Sequence, residues 1–395
     1  MTERIATRVS TRELERRWTA VRAAMAERGI DALVMQNTND WLGGTVKWFT
    51  DIPANNGYPR SVVFHAGDLM SVVEMGPFGA RRRLDGTDEI HRGVGEMRFT
   101  PSFTSISYTQ DYDARLVAEI LKPRGYRTVG LVGGGALPHR FVTLIGEGLA
   151  GQSELVDASD LVDTVKAIKS EEEIALILRT ARMQDEVFAA VLAAIKPGMR
   201  DVDVAALAWR EGQIRGSEQG IVLGASAPLG VRSGFAGRHM QGRTLERGDH
   251  LSLLIETNGP GGFYTEIART IVLGRASQEL LDGFAAVREA QAATLARMKP
   301  GVACRDIAAA HDAHMTGRGL PAELRLYSHG QGYDMVERPL IRSDEPMALQ
   351  AGMCLAVHPG YETPSLFAVI CDNYLIGADG AGECLHRTEK KVFEA

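Results

Sequence analysis

Lys196-Pro197-Gly198, then four residues, then Asp203-Val204-Ala205-Ala206 returns later in the chain as Lys299-Pro300-Gly301, four residues, Asp306-Ile307-Ala308-Ala309, with every matched position 103 apart. Downstream, Leu245-x-x-Gly248-Asp249-x-Leu251-Ser252-Leu253 is echoed by Leu349-x-x-Gly352-Met353-x-Leu355-Ala356-Val357 at an offset of 104. Two echoes in the same order at nearly one offset indicate a duplicated unit of helix, KPG turn, helix and strands. Two copies make one pseudo-symmetric domain rather than a solenoid, with its site expected between the halves.

Strand alternation assigns faces within each copy. In the first, Leu251, Leu253 and Ile255 point one way, and Ser252, Leu254 and Glu256 the other. A strand over 263–271 puts Tyr264, Glu266 and Ala268 on one face. In the second copy Met353, Leu355 and Val357 form the apolar face, leaving Cys354, Ala356 and His358 opposite. Glu256, Glu266 and His358 are thus polar groups on strands that otherwise look buried, and such groups need hydrogen bonds, a cation or a catalytic role. Ser328-His329-Gly330-Gln331-Gly332 adds a histidine that its small neighbours can present to a cavity. His311 and His314, on an alanine-rich helix, read as solvated.

Upstream of the repeat, Ser170-Glu171-Glu172-Glu173 is a capping box opening a long helix that Pro197-Gly198 ends. A boundary falls near 155–168, so the expected domains are 1–160 and 161–395. The first domain reads as a small α/β unit: a helix over 12–28, strands at Ala32–Met35, Ser61–Phe64 and Ser71–Val73, a helix over 111–121 and a strand over 128–132. Gly133-Gly134-Gly135 lacks GxGxxG spacing, a Walker lysine and an obvious helix start, and reads as a plain turn.

With 395 residues, 45% hydrophobic and 24% charged, the chain has the composition of a folded globular protein. Its net charge of −6 argues against a general nucleic-acid or anionic-membrane binder. Four cysteines without close spacing fit a reduced, cytoplasmic location. Arginines at 4, 8, 12, 16 and 17 with no apolar core give no expectation of a signal peptide, and no apolar run is long enough to span a membrane. HExxH, GxSxG and papain-type cysteine patterns are missing from the sequence.

The run Gly248-Asp249 to Thr270, with Gly262-Phe263-Tyr264-Thr265-Glu266-Ile267-Ala268-Arg269-Thr270, resembles the creatinase, aminopeptidase P, prolidase and methionine aminopeptidase superfamily. Ser328 to Asp334 resembles its GHGIG segment, Gly352 to Gly360 its GMxxxxEPG segment, and Asp372 to Gly380 its closing hairpin. The resemblance implies an α+β fold, a pita-bread C-terminal domain after a smaller creatinase-type α/β domain, and a homodimer. It also implies a small-molecule or short-peptide substrate.

Departures from the family pattern bear on chemistry. Metal-dependent members surround a dinuclear centre with two aspartates, a histidine and two glutamates. Those positions fall here on Leu254 (with Glu256 two residues on), Glu266, His329, His358 and Cys371. A second peptidase histidine is replaced by Val336, and a third falls on Gly237, with His239 nearby. The expectation is therefore a pocket without cofactor, as the resemblance to creatinase implies, and the alternative is a single divalent ion on Glu256, Glu266, His329, His358 and Cys371. The expected catalytic residues are His329, Glu256, Glu266 and His358. Tyr264, His239, Arg60 and Glu337 are the expected substrate contacts. The expected reaction is C–N hydrolysis by acid–base catalysis, against a metal-dependent Xaa-Pro peptidase, a lyase or a non-catalytic binding protein. Leu42-Gly43-Gly44 and Asn55-Asn56-Gly57-Tyr58 are read as loops suited to dimer contact.

Overall fold

The computed structural model describes residues 6–37, 44–53 and 55–395; Leu42 and Gly43 of the first dimer-contact loop lie outside them. The chain forms two compact units, Arg8–Lys166 and Ala167–Ala395.

The N-terminal unit runs α1 (Thr11–Arg28), β1 (Ala32–Asn37), α2 (Gly44–Thr50), β2 (Arg60–His65), β3 (Met70–Met75), β4 (Arg81–Arg83), β5 (Val94–Thr100), α3 (Gln110–Leu121), β6 (Thr128–Leu131), α4 (His139–Gly148) and β7 (Glu154–Asp157), with α5 (Ser159–Ala167) leading out. Its seven strands form one mixed sheet in the order β4-β5-β3-β2-β1-β6-β7. Ala32, Val34, Val63 and Val73 on one sheet face pack against Val117, Ile120 and Leu121 of α3 and Phe141 and Ile145 of α4. The glycine run 133–135 is a turn, with the Gly133 amide donating to Ser159 Oγ at 3.0 Å. A helix does follow it, contrary to expectation: Pro138 occupies the N-cap of α4, a place where its missing N–H costs nothing. Asn55 to Tyr58 is a tight turn with Gly57 at φ 83° and the Tyr58 ring exposed.

The C-terminal unit contains α6 (Glu171–Ala194), α7 (Asp201–Gln213), β8 (Gly220–Pro228), β9 (Asp249–Asn258), β10 (Tyr264–Val272), α8 (Gln278–Leu295), α9 (Cys304–Gly317), β11 (Ser328–Gly330), β12 (Glu337–Leu340), β13 (Cys354–Val357), β14 (Gly360–Glu362), β15 (Phe367–Val369), β16 (Asp372–Ile376), β17 (Ala381–Cys384) and β18 (Phe393–Glu394). The capping box at Ser170 and Glu173 is made in both directions. The strands lie in a four-stranded sheet, β18-β10-β9-β8, and a five-stranded sheet, β12-β11-β13-β16-β17, beside the β14-β15 hairpin.

The duplication is visible bond by bond. Gly198 N donates to Leu245 O and Gly301 N to Leu349 O, each at 2.8 Å; Leu245 N donates to Met199 O and Leu349 N to Val302 O. Gly248 N donates to Leu273 O and Gly352 N to Ile376 O. Gly198 and Gly301 sit at φ 92° and 86°, a conformation that side chains with a Cβ resist, which explains the glycine in both turns. Leu251, Leu253 and Ile255 pack with Ile267 and Ile271 against α6 and α7. Met353, Leu355 and Val357 do the same for the second copy, with Ile307 of α9 and Tyr374 of β16. The apolar faces are those expected from alternation. His311 is not solvated: it is buried at 1% exposure, with Nδ1 2.8 Å from Thr294 Oγ1 and its ring stacked on Tyr327 at 3.8 Å. The inward face of α9 is Cys304, Ile307, Ala308, His311 and Met315, while Ala309 and Ala313 are exposed, so His311 lies on the packed side of the helix and most of the alanines do not.

Candidate active site

With the hydrophobic face of each sheet covered by helices, the opposite faces of β9, β10 and β11 carry Glu256, Glu266 and His329 beside the apolar Leu254 and Ala268. β9 and β10 pair antiparallel with Glu256 directly opposite Glu266 and Leu254 opposite Ala268. Ala268 is bridged to Cys371, and this pair of backbone hydrogen bonds, 3.2 and 3.4 Å, joins the two sheets. His329 lies on β11, and His358 follows β13, its backbone N–H held by Tyr327 O at 2.7 Å. Gly330 has no room for a side chain because the Arg338 backbone of β12 fills the position a Cβ would take.

Glu266 is the centre of the cluster. Its Oε1 lies 3.4 Å from His358 Nε2 and 3.9 Å from His329 Nε2, and the Cys371 thiol donates to it at 2.9 Å. The rings of His329 and His358 meet edge to face at 5.1 Å between centroids. Burial pushes the Glu266 carboxyl upward, but the two imidazoles and the hydrogen bonds from Cys371 and Glu256 outweigh it, leaving the group below the usual carboxylate range. Glu256 goes the other way: burial and the adjacent Glu266 charge raise it well above that range, so it is the protonated member of the pair. Its Oε1 accepts from Gln331 Nε2 at 2.9 Å, and Asn373 Nδ2 in turn donates to Gln331 Oε1 at 2.7 Å. Asn373 Oδ1 also receives the Glu266 amide at 2.7 Å, which fixes the direction of the amide chain. Burial raises the Cys371 thiol too, with Glu266 adding to the effect, so Cys371 is a donor and not a thiolate.

The two histidines differ. His329 Nδ1 stands 2.9 Å from the Gly330 carbonyl, so Nδ1 carries the proton and Nε2 presents its lone pair toward Glu266 and the site. His358 is lowered to about 4, by burial first and against the pull of Glu266, and is a neutral imidazole near pH 7. At 3.4 Å its Nε2 is not aligned for a hydrogen bond with Glu266, and this buried nitrogen has no hydrogen-bond partner among the described residues. It faces the site ready for a ligand atom.

Of the expected residues, Glu256, Glu266, His329, His358 and Cys371 come together. Tyr264 is buried on the same strand face as Glu266. His239 is exposed, on a short 3-10 turn at Arg238–Met240. Glu337 is engaged elsewhere: its carboxylate accepts from Lys169 Nζ at 2.9 Å and from the Asp334 amide at 3.2 Å, and fills the space beside Gly332, so it supports the loop after His329. Arg60, in the N-terminal unit, pairs with Glu74 at 2.8 Å and donates to the Pro53 carbonyl. Gln331 and Asn373 were not anticipated; their place in GQG and DNY segments gave only backbone expectations, and their role appears once the sheets meet.

Leu254 offers no ligand atom, and Glu256 Oε1 is already engaged by Gln331 Nε2. Glu266, His329 and His358 bring ligand atoms within 4.8 Å of one another and would hold one ion, with the unpartnered His358 nitrogen as a ligand. A second grouping, Asp372, Cys384 and His386, is already neutralised by Arg269, 2.7 Å from Asp372.

Residues 175–378, over half of the chain, match the model of metallopeptidase family M24. The uncharacterized peptidase YqhT of Bacillus subtilis is 26% identical over 244 residues, covering 61% of this chain and 68% of that protein. A Xaa-Pro dipeptidase of Pyrococcus horikoshii is 23% identical over 277 residues, 68% of this chain and 76% of that one. Among solved structures, the prolidase of Thermococcus sibiricus superposes with a TM-score of 0.79 at 16% identity, covering 98% of this chain and 100% of the other. That similarity makes the pita-bread architecture, preceded by an α/β domain, the observed fold. By its match over residues 175–378, the chain belongs to metallopeptidase family M24, within the creatinase, aminopeptidase P and prolidase superfamily, a group of hydrolases.

Proposed function

We propose that the chain hydrolyses a C–N bond in a small molecule or short peptide by acid–base catalysis, without a standard dinuclear metal centre. The observation that supports this reading is the convergence on Glu266 of two differently prepared imidazoles, one offering a lone pair and one a neutral ring with an unpartnered nitrogen. In this scheme His329 Nε2 takes a proton from water, the water oxygen adds to the carbon of the C–N bond, and the proton passes to the departing nitrogen as that bond breaks. Glu266 balances the imidazolium while it exists. His358, as a neutral N–H donor, steadies the developing oxygen charge. Glu256, already protonated, donates to Glu266 and keeps a second negative charge out of the site. A metal ion held by Glu266, His329 and His358 would act as a Lewis acid, and no step above depends on it. A homodimer and a cytoplasmic location complete the proposal.

The test pairs elemental analysis with turnover of Gly-Pro and of N-substituted amidino acids. We expect less than about half an equivalent of Mn, Co or Zn per chain, activity that survives chelator, and a loss of about 100-fold or more in His329→Ala. Two tightly held metal equivalents per chain, with activity lost to chelator and restored by the ion, would overturn the reading. His358→Glu, which places a carboxylate where metal-dependent relatives carry one, should impair turnover by adding a third acid to the cluster.

A further inference from the structure

Next to the carboxylate cluster lies hydrocarbon. Leu254 projects from the same face of β9 as Glu256, one side-chain spacing along, or about 7 Å. It packs with Ala268 and Cys371, and half-buried Leu223 and Phe235 lie against them. Phe235 is braced edge to face on Phe367 at 5.1 Å between centroids. Cys371 belongs to both neighbourhoods: its sulfur touches the Glu266 carboxylate, while its body is part of the apolar cluster. Leu254 keeps 8% of its surface and the His358 side chain 16%, and Leu223 and Phe235 are half-buried. A ligand reaching Glu266 therefore meets an acidic centre with an apolar wall beside it.

We infer that the substrate of this site joins a cationic amidine- or ammonium-type nitrogen centre, held by Glu266, to an alkyl group lying on Leu254, Leu223 and Phe235. The inference rests on the C–N hydrolase reading and narrows it. A charged or strongly polar group at the alkyl position would be desolvated over hydrocarbon with no partner, which disfavours polar substrates there. Substitution of a hydrocarbon for the family's metal-binding aspartate at position 254 thus does more than remove a ligand: it turns a charged wall into a binding surface for carbon.

The probes are acetamidine, propionamidine, butyramidine and valeramidine, titrated calorimetrically into the chelator-treated full-length protein. Affinity should rise about three- to fourfold per methylene over the first two or three carbons, as expected for burial of each CH₂, and then level off. In Leu254→Ala the increment should shrink to less than about twofold, and Phe235→Ala, at a half-buried position, provides the same reading should the first variant fold poorly. Affinity independent of chain length in the parent protein, or absence of amidine binding, overturns the inference. Its failure is distinguishable from that of the hydrolase reading, which is judged separately by turnover in His329→Ala: a flat amidine series with His329-dependent C–N cleavage removes the specificity claim alone.

Discussion

Replacing Arg269 by methionine should cost the C-terminal unit about 4 kcal/mol or more. Arg269 is fully buried and uses all five of its donors: Nε to Glu389 O at 3.0 Å, Nη1 to Ala268 O and Cys371 O at 2.8 and 3.0 Å, and Nη2 to Asp372 Oδ1 and Thr388 O at 2.7 and 3.1 Å. Asp372, equally buried, would keep Gln291 at 3.2 Å and Lys390 at 3.7 Å but lose its principal partner. Breaking a buried pair by removing one member costs roughly 3–5 kcal/mol, and the carbonyls left without donors add to this. With a urea dependence of about 3 kcal/mol per molar for a unit of this size, the midpoint should fall by about 1.3 M or more. Urea melts followed by circular dichroism, with hydrogen exchange on the 264–272 and 372–376 peptides, would measure it. A loss below about 1 kcal/mol, with protection unchanged in those peptides, would refute the claim that this guanidinium ties the two repeats and the C-terminal segment together. Arg269→Lys, which keeps the charge but not the five-pronged geometry, should fall between the two.

In the N-terminal unit, burial lifts Asp113 to about 7, only partly opposed by the Ser102 and Thr100 hydroxyls. The folded form then holds a proton that the unfolded chain releases above about pH 4, so this group's contribution falls as pH rises from about 4 to about 7. Asp113→Asn should match the parent near pH 4 and exceed it by about 2–4 kcal/mol at pH 8 in denaturant titrations. Ser170→Ala, which removes the cap of α6, should destabilise by about 1 kcal/mol in the same assay. Gly332→Ala would drive a methyl into the Glu337 carboxylate, and should loosen the Lys169–Glu337 pair and lower the midpoint of the C-terminal unit. Light scattering at micromolar concentration should give a homodimer; a stable monomer would remove that part of the proposal.

Much of the C-terminal unit could be read from the residues because its geometry is periodic. Alternation along 251–256 and 353–358 set the two faces, and the repeated KPG and GD or GM segments marked turns that later proved to share the same hydrogen bonds. The acid pair followed from alternation too, since opposed residues on neighbouring strands must share a face. Gln331 and Asn373 could not be foreseen, because their partners Glu256 and Gln331 are 75 and 42 residues away in the chain. Glu337 looked like a substrate contact for the same reason: nothing local reveals that Lys169, 168 residues earlier, closes on it. His311 misled because the alanines around it do not say which side of the helix it takes, and only contact with Tyr327 and Thr294 decides that.

The two halves of the repeat have divided their chemistry. The first supplies both acids, Glu256 and Glu266, and the second supplies both imidazoles, His329 and His358. Either half alone would hold only part of the site: a carboxylate and a carboxylic acid with no base beside them, or two bases with nothing to balance their charge. The backbone link at Ala268 and Cys371 is therefore the seam along which two inert copies become one reactive surface. After such a duplication, drift is constrained unequally. Either copy may change its outer helices independently, but a change in polarity on one inner strand is felt by the other copy's strand, so the two inner faces must evolve as a pair.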